Sequence, residues 1–164
     1  MKCDVIVFGH ITMVTHELES LMQAKRIFET CLCGRDLPAI RKFYTEVMGL
    51  EVVGDMNTRG IVFRCGDGVL IVFNPDETKL PSPYNDRPHE IIPPHGTEGV
   101  GHIAFLATAE ELPAWRVQLA KHGVPILSEV NWSGGGTSLY FTDPAGNVVE
   151  LAPPTLWGGF AINA

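Results

Sequence analysis

A chain of 164 residues with 45% hydrophobic content can bury one real core. Its formal net charge of -7 and its lack of any Lys/Arg run argue against nucleic acid or an anionic membrane as partner. The 17 glycines and 12 prolines imply many turns, which suits short strands better than a helical bundle.

Residues 1–26 read as an N-terminal extension. Val5 to Val14, VIVFGHITMV, has the apolar character of a strand. Asp4 and His10 interrupt it as a signal peptide, and it is too short to span a membrane as a helix. From Ile27, IFETCLCG alternates, with Phe28, Thr30 and Leu32 on one face and Glu29, Cys31 and Cys33 on the other. Asp36 is placed to cap a helix, LPAIRKFYTEVM, whose stripe of Leu37, Ile40, Phe43, Tyr44, Val47 and Met48 faces a core. Gly49 ends it. Three strands are expected next, in LEVVG, GIVFRCG and GVLIVFNP, so module one spans 27–75.

Residues 76–98 read as a linker rich in proline, long enough to act as a lid or binding loop. Module two, 99–154, repeats the pattern: strand GHIAFLAT, helix ELPAWRVQLAKHG, then strands VPILSEV, TSLYFTD and VVELAP. The helices even share letters, DLPAIR from Asp36 against ELPAWR from Glu111. Such self-similarity marks an internal duplication. The fold expected is α+β, one domain over 27–154, with a tail at 155–164.

The duplication also points to a site. Superposing the copies on their helices sets Glu29 opposite His102; superposing LIVFNP on VVELAP sets Val72 opposite Glu150. Ile103, Phe105, Val149 and Leu151 then form the helix-packing face, leaving His102 and Glu150 on the other. Two carboxylates converging with an imidazole would repel without a cation between them, which makes Glu29, His102 and Glu150 a candidate metal set. Arg64, on the same phase of its strand, is the alternative neutralising partner. His95 is a candidate acid or base reaching over the site, or a loop histidine bonded to backbone. Trp132, Trp157 and Tyr140 are candidate pocket walls, while Trp115 sits at core spacing. The four cysteines, Cys3, Cys31, Cys33 and Cys65, form no C-x-x-C pair. Reduced thiols and a cytoplasmic setting are expected.

With DLPAIRKFYTEVMGL, GVGHIAF and DPAGNVVELAP, the duplicated module resembles the vicinal oxygen chelate superfamily of glyoxalases, bleomycin and fosfomycin resistance proteins and extradiol dioxygenases. The resemblance covers residues 27–154. It implies two tandem βαβββ modules forming an open, cup-shaped mixed β-sheet with helices outside, often completed across a homodimer, with a divalent metal at its base. Carried over by position, the ligands fall on Glu29, His102 and Glu150. Most metal-dependent relatives have His or Gln where this chain has Glu29, and glyoxalase-like enzymes have a carboxylate where it has Val72, which disfavours glyoxalase I itself. One His with two Glu suits Mn, Mg, Zn or Ni better than oxygen-activating iron. No Arg follows Glu150, which disfavours a phosphonate. The expectation is a metal-dependent lyase or isomerase acting on a small oxygenated molecule, with Glu29 able to leave the metal and serve as base. The alternative is a metal-free, small-molecule binding protein of the bleomycin-resistance type.

Overall fold

The computed structural model describes residues 24, 26–84 and 87–157. The run from Val5 to Val14 and the end of the C-terminal tail lie outside the described residues. Module one opens with β1 (Glu29–Cys33) and α1 (Leu37–Lys42). The Asp36 carboxylate accepts from the Ala39 N–H at 3.0 Å, satisfying one of the helix's orphan donors. The helix runs on as π-helical turns over Phe43–Val47, and all six residues of the expected stripe are buried. Gly49, at φ 71°, ends it in a conformation that carries a steric cost for any residue with a Cβ.

Next come β2 (Glu51–Asp55), β3 (Gly60–Cys65) and β4 (Gly68–Phe73), giving a sheet of order β1-β4-β3-β2 in which only β1 and β4 run parallel. Module two repeats this with β7 (His102–Leu106), α3 (Leu112–Lys121), β8 (Ser128–Asn131), β9 (Thr137–Thr142) and β10 (Val148–Ala152), in the order β7-β10-β9-β8. Strand β8 starts later than the run VPILSEV predicts. The Val124 N–H is taken by Leu119 O at the helix end, and Val124 and Ile126 pack on the core instead of pairing.

Between the modules the chain is not structureless. It forms a single helical turn, α2 (Pro75–Thr78), and a hairpin of β5 (Ser82–Tyr84) with β6 (Arg87–Ile92). An isolated two-stranded ribbon has only edges, where proline is tolerated, so the prolines do not prevent pairing here. Arg35 ties both ends of the segment to module one, bonding Asp76 at 2.9 Å and Glu98 at 2.8 Å.

The two modules share one hydrophobic cluster. It joins Ile40, Tyr44 and Phe63 of the first to Leu119, Leu139, Phe141 and Leu151 of the second. Phe43 meets Phe141 with ring centroids 6.3 Å apart, and Gln118 Nε2 donates to Val47 O across the junction at 2.6 Å. In both four-stranded sheets the core takes one phase of the inner strands, Ile61 and Phe63, Leu70 and Val72, Leu139 and Phe141, Val149 and Leu151. The other phase is left for chemistry.

Candidate metal centre on the second sheet

Strand β10 lies between β7 and β9, so its side chains have neighbours on both sides. Val149 and Leu151 enter the core, which turns Glu150 to the opposite face. Tyr140 is its cross-strand partner on β9, and Ala104 its partner on β7. His102, two residues before Ala104, shares that face. The result is an imidazole Nε2 3.2 Å from Glu150 Oε2, the His102 side chain 53% exposed and the Glu150 side chain 5% exposed. Tyr140 lies over His102 with ring centroids 6.3 Å apart and planes within 24°. Burial, aided by the Glu150 carboxylate, raises the Tyr140 phenol above its usual range.

Glu150 Oε1 is buried and has no hydrogen-bond partner. Burying half of a carboxylate without a partner is costly, and a neighbouring cation removes that cost. Two atoms bound to one ion at about 2.1 Å are themselves about 3.0 Å apart in octahedral and about 3.4 Å apart in tetrahedral geometry. The 3.2 Å between His102 Nε2 and Glu150 Oε2 falls between these values and is also that of a direct hydrogen bond. The pair therefore fits a divalent ion in both donor type and distance.

Glu29 is not brought to this pair within one chain. It is exposed on β1, with Cys31 Sγ 4.0 Å from its Oε1. Among the described residues no group of three or more His, Cys, Asp or Glu converges. Its topological equivalence to His102 does hold: β1 pairs Glu29 with Val69 on β4 as β7 pairs His102 with Val148 on β10.

The same register corrects the expectation for Val72. Counting from these pairs, the module-one counterpart of Glu150 is Ile71, because Cys31 pairs with Ile71 as Ala104 pairs with Glu150. Val72 is fully buried in the shared core. A slip of one residue turns every side chain to the other face. Arg64 neutralises neither Glu29 nor Glu150 but bonds Glu51 on β2 at 3.0 Å. His95 rests edge-on against Phe73 at 4.6 Å, its backbone N–H held by Thr78 O. Trp132 donates from its indole to Ser138 on β9, two residues from Tyr140, whereas Trp157 is largely exposed. Cys31, Cys33 and Cys65 are free, and burial followed by the Glu29 charge pushes the Cys31 thiol up.

A buried polar joint lies directly before β10. In DPAGN, Asp143 accepts from the N–H groups of Ala145 and Asn147, from the Tyr44 hydroxyl at 3.0 Å and from Asn147 Nδ2 at 2.9 Å. Asn147 Oδ1 accepts from Gly101 N–H at 2.9 Å, and its Nδ2 also donates to Cys33 O at 3.1 Å. Polar residues directly before a strand as apolar as VVELA were the available signal.

The sequence profile of the Glyoxalase/Bleomycin resistance protein/Dioxygenase superfamily matches residues 26–151. The chain belongs to this superfamily. No curated protein matches the chain. A solved lactoylglutathione lyase from Agrobacterium tumefaciens is 36% identical, with a TM-score of 0.75 over 84% of this chain and 99% of that one. A glyoxalase/bleomycin resistance protein/dioxygenase from Nocardioides (19% identical, TM-score 0.62, covering 82% and 86%) shares the fold. So does a fosfomycin resistance protein from Listeria monocytogenes (19%, TM-score 0.60, 82% and 98%). As a member of the superfamily, this chain keeps the paired-module scaffold while placing an acid-imidazole pair in only one of its modules.

Proposed function

We propose that the protein is a divalent-metal-dependent enzyme of the vicinal oxygen chelate type, a lyase or isomerase acting on a small molecule with two adjacent oxygens. The observation that carries this reading is the Glu150 carboxylate, one oxygen 3.2 Å from His102 Nε2 and the other buried without a partner. The likeness to a lactoylglutathione lyase supports the lyase class. Ile71, in place of a fourth carboxylate, argues for a different ligand set from glyoxalase I. When bound, a divalent ion of the Mn, Mg, Zn or Ni kind supplies Lewis acidity toward vicinal oxygens.

In this reading His102 and Glu150 hold the ion, and the buried setting of Glu150 keeps water from competing for its oxygens. Tyr140 orients the imidazole by stacking and offers its phenol as a hydrogen-bond donor to a substrate oxygen. Glu29 completes the set from a second copy of the chain in a homodimer, because within one chain it stands apart from the pair. An exposed carboxylate is also suited to moving a proton, so Glu29 is the base in this scheme. His95, with its ring against Phe73, has no part in it. The free thiols fit a cytoplasmic setting, and no helix among the described residues is long and apolar enough to cross a membrane.

The second reading, a metal-free binding cup, is favoured by one observation: two rather than three ligand side chains converge in a chain. Elemental analysis of the purified protein beside Glu29→Ala, His102→Ala and Glu150→Ala separates the two. About one divalent ion per chain, lost with His102 or Glu150, is the expected result. A protein that stays metal-free after reconstitution leaves the binding reading.

A further inference from the structure

We infer that Asn147 is the positioning residue of the site, a single amide that sets β7, β1 and β10 relative to one another. It directly precedes Val148, the first residue of β10, the strand that carries Glu150. Its Oδ1 takes the N–H of Gly101, which directly precedes His102, the first residue of β7. Its Nδ2 reaches Cys33 O at the far end of β1, the strand that carries Glu29. One side chain, 1% exposed, thus holds an end of each of the three strands on which the candidate ligands stand.

The backbone bond from Val148 N to Gly101 O at 2.8 Å closes the same joint from the other side. Together they lock the register that sets His102 beside Val148 and brings its imidazole to Glu150. A one-residue slip would turn His102 into the core, so the pair depends on this lock. Asp143 in turn fixes the rotamer of Asn147, accepting from its Nδ2 and from its backbone N–H. Gly101 is required for the close approach: a Cβ there would stand 2.9 Å from Asn147 Oδ1 and 3.0 Å from Leu32 Cδ2.

The geometric part of this inference stands without a metal, and only its affinity part rests on the proposed function. Asn147→Ala is compared with Tyr44→Phe, which removes a hydrogen bond from the same buried network but none that reaches Gly101 or Cys33. In the metal-free protein, NMR follows the His102–Tyr140 ring contacts and the ring-current shifts of the imidazole protons. Asn147→Ala is expected to lose these signals and Tyr44→Phe to keep them. In metal titrations with Mn or Zn, Asn147→Ala is expected to bind about 10- to 100-fold more weakly. Should Asn147→Ala fail to fold, Gly101→Ala strains the same joint without removing a hydrogen-bonding group and is expected to shift the same imidazole signals. Unchanged His102–Tyr140 contacts in a folded Asn147→Ala or Gly101→Ala protein would overturn the inference. Equal loss in Tyr44→Phe would do so as well, by reducing the effect to general loosening. If the wild type binds no metal, the metal reading fails while the ring contacts still decide the positioning role.

Discussion

The two modules have the same strand order and matching registers, yet their free faces differ. At equivalent positions module two carries His102 and Glu150, and module one carries Glu29 and Ile71. Module two therefore carries a buried carboxylate where module one carries an alkyl group. The scaffold is common to both halves; four side chains decide where a charge can be held. Duplication supplies the frame, and single substitutions allot the chemistry.

Ile71→Glu tests this comparison most severely, since it gives module one the counterpart of Glu150. Ile71 is buried, and no imidazole stands at the matching position. The variant is expected to lose about 2–4 kcal/mol in urea unfolding of the metal-free protein, from an unpaired buried carboxylate. A loss below about 1 kcal/mol would mean that the first sheet tolerates charge as well as the second. Glu150→Met makes the reverse exchange. Its orphaned oxygen predicts metal-free stability unchanged or raised by about 1–2 kcal/mol while metal retention disappears. A clear drop instead would identify the His102–Glu150 contact as a structural ion pair.

The smallest effect concerns the linker between the halves. Bonding to Arg35, then to Lys79, holds the Asp76 carboxyl at about 2, below its ordinary 3.8. The stabilisation from this ion pair is therefore complete above that ordinary value and fades as pH falls through about 2. These groups are largely exposed, so the expected change is a local loosening of residues 76–98, read by limited proteolysis in acid, with both sheets intact.

Most of the fold was legible because the two helices repeat each other's letters and the strands, alternating or continuously apolar, are set apart by turn residues. The helix stripe from Leu37 to Met48 needed no tertiary information. Val72 takes the place of Ile71 in the sequence pattern because module two ends in a tandem proline, Pro153-Pro154, with two possible counterparts for Pro75. Pairing Pro75 with Pro153 rather than Pro154 shifts the strand by one residue. The hairpin at 82–92 was hidden by prolines that read as breakers, although an edge ribbon can accept them. The joint at Asn147 was hidden for a different reason: its partners Cys33, Tyr44 and Gly101 are remote in sequence, and only folding brings them together.

The shared core has a consequence for how such a chain can arise. Phe43, Tyr44 and Phe63 of one half are covered in part by Leu139, Phe141 and Leu151 of the other. A half-length ancestor would have exposed that surface to water unless it met a second copy of itself. Each half therefore depends on the other to keep its own apolar face from water.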